Sequence, residues 1–155
     1  MTRDALLTTH TNLPSEWMVK FQFKPTNLAN PDWTSIFHMT AGENDIGDRI
    51  PAVFFRPSNG THFTTALNNQ DNFAIDFPPP PIGEWIKIRV SQELLNQGLK
   101  YRIFINDIEK LVAENSVAFA FEKVYAPDPQ IHGVLRSQDP SRTSESMSRR
   151  NESER

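Results

Sequence analysis

The segment Trp17-Met18-Val19-Lys20-Phe21-Gln22-Phe23-Lys24 alternates strictly. Trp17, Val19, Phe21 and Phe23 fall on one face, and Lys20, Gln22 and Lys24 on the other. A period of two residues is the mark of a strand with one face buried, and no helix can gather those four apolar residues on one side. Pro25 ends the run because it has no N–H to give to a ladder. The same rhythm returns in Phe73–Phe77, in Ile86–Val90 with Lys87 and Arg89 outward, and in Tyr101–Ile105. Further strand-like runs are Trp33 to Met39, PAVFFR, THFTTAL, IEKLVAE and Phe121 to Tyr125. Turn chemistry separates them. Asn59-Gly60 predicts a type I′ hairpin, since both residues tolerate positive φ. The four prolines 78–81 force an extended link, Asn106-Asp107 reads as a turn, and 94–99 reads as a connection. About eight or nine short strands with no strong helix predict an all-β, antiparallel two-sheet β-sandwich of jelly-roll type.

With 155 residues the chain is long enough for one domain with its own core. The sequence divides into an N-terminal arm (1–10), the sandwich (11–136) and a tail (137–155). That tail has six serines, four basic and four acidic residues, and Met147 as its only large apolar side chain. It has too little apolar surface to offset its ordering entropy and is expected to be disordered. Net charge is −3 and no element concentrates Lys and Arg, which argues against a nucleic-acid partner. There is no cysteine, hence no disulfide, thiol nucleophile or cysteine-ligated zinc. No apolar run reaches the ~18 residues of a spanning helix, so membrane insertion is not expected. The start of the chain lacks the apolar core of a secretory signal, and none is expected within it. Nothing in the chain sets its oligomeric state.

The segments SEWMVKFQFKPT, WTSIFHMTAG, GDRIPAVFF, GEWIKIRVSQ, YRIFINDIE and FEKVYAPDP, in that order, resemble the concanavalin A-like lectin/glucanase superfamily near its laminin-G-type branch. More narrowly, they resemble a domain of multidomain, mostly extracellular proteins of marine invertebrates. The likeness covers roughly residues 13 to 136 and implies a jelly roll, an extracellular module, and a glycan or a protein surface as partner. Fold alone does not fix function. In such domains a segment like HGVLRS opens a last strand that continues in apolar residues. Here Gln138-Asp139-Pro140 interrupts it, which predicts a short closing strand and a partly open sheet edge.

The most charged stretch is HMTAGENDIGDRIP, with Glu43, Asp45, Asp48 and Arg49 between two apolar runs. Glu43, Asp45 and Asp48 approach a glucanase-like carboxylate array. A retaining glycosidase needs two carboxyls ~5–5.5 Å apart on a rigid support, and the glycines here argue for a loop instead. No catalytic residue is therefore assigned. Asp45 and Asp48, with Asp71 from the polar stretch 68–72, offer the hard oxygens that suit Ca²⁺, and laminin-G-type relatives bind calcium at one rim. The favoured reading of Gly47-Asp48-Arg49-x-Pro51 is a shaped turn: Asp48 makes an Asx-type turn, and Arg49 lies across strand stems, paired to a carboxylate. Ligand contacts are expected from Asn44, Asp48 and Arg49, from Asn68, Asn69 and Asn72, and from Trp85. Trp17 and Trp33 are expected to plug core ends, with Trp85 the most exposed of the three. His38, His62 and His132 show no zinc spacing, and His38 reads as structural. No phosphate cradle or nucleophile motif is present. Asn59-Gly60-Thr61 and Asn151-Glu152-Ser153 match the glycosylation sequon. The expected function is a non-enzymatic recognition module for glycan or an extracellular protein surface. The alternatives are a β-glucan hydrolase and a purely structural interaction domain.

Overall fold

The computed structural model describes residues 6–9, 14–28, 31–41, 45–57, 59–96, 98–116, 123–125 and 132–136. These hold eleven strands in two antiparallel sheets. They are β1 (Leu6–Thr9), β2 (Trp17–Phe23), β3 (Thr34–Thr40), β4 (Arg49–Phe55), β5 (Thr61–Leu67), β6 (Gln70–Phe77), β7 (Ile86–Leu95), β8 (Gly98–Ile105), β9 (Ile108–Glu114), β10 (Lys123–Tyr125) and β11 (His132–Arg136). One sheet has the order β1-β10-β3-β4-β5-β6 and the other β11-β2-β7-β8-β9. The all-β sandwich expected from alternation is the observed fold.

The alternating residues do what their period requires. Trp17, Val19, Phe21 and Phe23 of β2, Ile86, Ile88 and Val90 of β7, and Tyr101 and Ile103 of β8 are buried in one core. Ile36, Phe37 and Met39 of β3, Val53 of β4 and Phe63 of β5 meet them from the facing sheet. Phe21 stacks on Phe37 across the gap with centroids 4.6 Å apart, and Trp17 meets Tyr101 edge-on at 6.1 Å. Each such ring contributes roughly 1.5–3 kcal/mol by leaving water.

The turns differ from expectation in an instructive way. Type I′ geometry occurs at Asn68-Asn69 (φ 52° and 65°) and at Asn106-Asp107 (φ 50° and 64°). It does not occur at Asn59-Gly60, where only Asn59 is left-handed at φ 68°. Pro57 lies ahead of it in the same loop. The turn closes earlier, with Asn59 N donating to Arg56 O at 2.8 Å and Arg56 N to Gly60 O at 2.9 Å. Pro57 supplies the fixed φ of an ordinary turn, and Asn59 takes the single strained position. Residues 94–99 are not a connection as expected. β7 runs to Leu95 and β8 begins at Gly98, and the two pair as far as Leu95 with Gly98.

Leu6–Thr9, expected to be an arm, forms β1 at the edge of the six-stranded sheet, paired with β10. The HGVLR segment forms β11, five residues long, and pairs throughout with β2. Of the expected strand Phe121–Tyr125, β10 covers 123–125, and the rest lies outside the described residues, as does the tail 137–155.

A buried polar chain ties the sheets together at one end. Gln92 Nε2 donates to Ser15 O at 2.6 Å, and Asn115 Nδ2 donates to Gln92 Oε1. Asn68 N donates to Asn115 Oδ1 at 3.1 Å, and Ser116 Oγ to Asn68 Oδ1 at 2.6 Å. Gln92 and Asn115 are each 2% exposed, so this network carries the full cost of any bond left unmade.

Candidate functional site

Val53 and Phe63 face the core, so Phe54 and His62, which pair with each other, point outward from the six-stranded sheet. His62 in turn pairs with Asp76 on β6, between Ile75 and Phe77, which pack inward. This register puts an aromatic ring, an imidazole and a carboxylate side by side. Arg56, just past the end of β4, reaches the same carboxylate: its Nη1 donates to Asp76 Oδ2. His62 Nδ1 lies 2.7 Å from Asp76 Oδ1, and a facing carboxylate selects the tautomer with Nδ1–H as donor.

Trp33 completes the group. It stands at the foot of β3, edge-on to His62 at 5.0 Å and to Phe54 at 6.1 Å. The Arg56 guanidinium carbon is 5.7 Å from its ring centre, within cation–π range. Trp33 is nevertheless 52% exposed, more than Trp85 at 45%. The expectation that Trp33 plugs the core end is therefore wrong. The reason is register: Ile36 and Phe37, beyond it on β3, take the core positions, and Trp33 is left on the outer side. The result is a half-open indole held between a bridged Arg–Asp pair and a histidine. Such a group can stack on an apolar ring face and donate or accept charge-assisted hydrogen bonds around it.

The residues expected to contact a ligand are arranged differently. Asn44 and Glu43 lie outside the described residues. Loop 45–48 and the 68–72 hairpin do meet, since Gly47 N donates to Asp71 O at 2.9 Å. Asp48 sits in a turn closed by main-chain bonds, with its N on Asp45 O at 3.2 Å and its O accepting from Ala41 N at 2.9 Å. Asp45 and Asp48 thus stand on a turn rather than on a regular strand, and the carboxylate array is not built from them. Nor do Asp45, Asp48 and Asp71 gather into a calcium site: among the described residues no three His, Asp or Glu side chains are grouped to hold a metal. Arg49 lies over the Phe54 ring at 5.8 Å. Asn68 belongs to the polar network, Asn69 supplies positive φ, and Asn72 Oδ1 accepts from Thr64 Oγ1 at 2.9 Å. Trp85 follows the Gly83 turn and lies half open.

Arg56, His62 and Asp76 were missed in the sequence. The signal available was the pairing of Phe54 with His62 once the 56–60 hairpin is recognised. Asp76, on the next strand, could be added only by knowing the β5–β6 register.

The outer face of the five-stranded sheet is a charge lattice. Arg102 donates to Glu109 and, at 3.0 Å, to Glu93. Burial alone would raise the Glu93 carboxyl, but the Arg102 guanidinium beside it outweighs burial and holds Glu93 below its ordinary value. Burial pushes the Tyr101 hydroxyl, which has no hydrogen-bond partner among the described residues, far above its usual range. No helix among the described residues is long and apolar enough to cross a membrane.

No family model and no curated protein matches the chain. Solved structures do. Sheep galectin-11, in complex with glycerol, is 13% identical with a TM-score of 0.51, over 88% of this chain and 96% of that one. The CBM40 module of a Ruminococcus gnavus sialidase, bound to α2,3-sialyllactose, is 11% identical with a TM-score of 0.51, over 86% and 89%. The alginate lyase Aly36B, as a mutant in complex with an alginate tetrasaccharide, is 10% identical with a TM-score of 0.50, over 86% of this chain and 63% of that one. At such identities the likeness defines the fold: a lectin-like jelly-roll sandwich.

Proposed function

We propose that this chain is a non-enzymatic glycan-recognition module whose contact surface centres on Trp33. The observation that carries the reading is the half-exposed indole beside the Arg56–Asp76–His62 cluster, a pairing of stacking surface with charge-assisted hydrogen bonds that suits a pyranose ring. The galectin and the sialidase module share the fold, and the second holds a sialylated sugar. Those ligands enter here as an analogy of fold. The narrower likeness to laminin-G-type extracellular modules rests on the sequence segments and belongs to the same proposal, as does an extracellular setting. The loops 45–48 and 68–72 form a second rim for which a role in contact with glycan or protein remains part of the reading.

The test is a glycan array probed with and without calcium, using wild type, Trp33→Ala and Asp76→Asn. Binding to a saccharide class in wild type, reduced about tenfold or more in Trp33→Ala at retained folding, supports the reading. A blank array, or binding indifferent to both substitutions, sinks it. Calcium dependence would return attention to Asp45, Asp48 and Asp71.

A further inference from the structure

The sandwich has an opening on its flank. Between the edge strands β6 and β9, below the four prolines that join β6 to β7, lies a cavity of about 200 Å³. Phe23, Phe77, Ile88 and Ile105 form its walls, and Pro78, Pro80 and Pro81 its roof. The pocket is half open to water, but its apolar walls gain from an apolar occupant, and an engineered apolar cavity of about 150 Å³ is known to take benzene. This one has room for a ring and a short chain.

Its rim is polar on one side only. Asn106 and Lys110 stand there. Asn106 Oδ1 already accepts from Lys87 N at 2.9 Å, so what Asn106 can offer a ligand is an N–H. Lys110 reaches the rim through a β-bulge. Ile103 pairs with Leu111 and Phe104 with Glu109, which leaves Lys110 as the extra residue on β9. Bulges re-aim side chains, and this one turns an ammonium toward the cavity that strict alternation would have sent the other way. Among the described residues Lys110 enters no ion pair, while its neighbour Glu109 is held by Arg102. Walls without charge, with Thr61 their one hydroxyl residue, and a lysine at the rim define the complement: an apolar body ending in an anion.

We infer that this cavity is a binding site for a small amphipathic carboxylate, with an aryl or short alkyl body inside and its carboxylate on Lys110 Nζ and Asn106 Nδ2. The site opens on the opposite side of the β5–β6 hairpin from Trp33, since Phe77 points in and Asp76 points out. It stands independently of the glycan reading.

The probe is 3-phenylpropionate, with 3-phenylpropanol as the uncharged body of the same size. Methyl and amide NMR titrations of the full chain are expected to move Ile86, Ile88 and Ile105 with both compounds, and the acid binds tighter. Lys110→Met weakens the acid by about three- to tenfold and leaves the alcohol within about twofold, because only a charge-assisted bond is removed. Ile105→Phe fills the cavity and removes both. The site assignment is overturned if millimolar probe leaves those isoleucines unmoved, or if the shifts map around Trp33. The carboxylate assignment is overturned if acid and alcohol bind equally well to wild type.

Discussion

Asn115→Ala tests whether the Asn68 end of the sandwich is built for stability or for ligand. Asn115 gives Nδ2–H to Gln92 of its own sheet and takes the Asn68 N–H across the gap from the other sheet. Truncation leaves the buried Gln92 Oε1 without that donor, at a cost of about 1–3 kcal/mol. The lost bond to the partly buried Asn68 N–H adds about 0.5–1.5 kcal/mol, for a total of about 1.5–4.5 kcal/mol. For a chain of this size that lowers Tm by roughly 5–15 °C. Urea unfolding should show a lower midpoint at unchanged m-value, because the surface exposed on unfolding is the same. In a double-mutant cycle with Gln92→Leu, the double variant should lose about 0.5–3 kcal/mol less than the sum of the two, since Gln92→Leu already removes the acceptor that Asn115→Ala leaves unpaired. Asn68→Ala removes the bond from Ser116 and also sets an alanine at φ 52°, so its cost of about 1–2 kcal/mol comes from the turn and should add to that of Gln92→Leu without coupling. An Asn115→Ala loss below about 0.5 kcal/mol, or strict additivity with Gln92→Leu, would refute the argument that this network holds the sheets in register.

Two further outcomes follow from local geometry. Asn69 holds φ 65° in a type I′ turn, so Asn69→Gly should raise stability by about 0.5 kcal/mol, and Asn69→Val should lower it by about 1 kcal/mol or more in the same urea assay. Glu93 has its folded pKa held below the ordinary glutamate value of 4.5. Its contribution is therefore complete above that value and is lost as pH falls through the lower folded pKa. Glu93→Gln should flatten the acid limb of stability between roughly pH 5 and 3 by at most about 1 kcal/mol, and an unchanged limb would remove Glu93 from the account.

Much of the fold was legible because alternation is a local property. Each residue of Trp17–Phe23 or Ile86–Val90 declares its face by its own polarity, and burial of that face follows whichever strands cover it. The turns at Asn106-Asp107 and the strand IEKLVAE were readable for the same reason. The Asn59-Gly60 hairpin was misread because a dipeptide does not reveal how many residues its loop contains, and Pro57 had already begun the turn.

The site was another matter. Trp33 could be named as a residue able to stack on a sugar, yet its exposure depends on which residues of β3 claim the core, and a bulge near Ile36 decides that. Arg56, His62 and Asp76 lie on three successive segments, and a hydrogen bond between positions 62 and 76 exists only once β5 and β6 are paired in one register. The same holds for Lys110, whose direction is set by a bulge against β8 rather than by its neighbours in the chain. Thus the sequence by itself determined that this protein is a two-layer β-structure, because burial per strand is written residue by residue. Only the tertiary structure decided where its functional groups converge. That depends on register between strands, and a shift of one residue, costing nothing in composition, would send every one of those side chains to the other face.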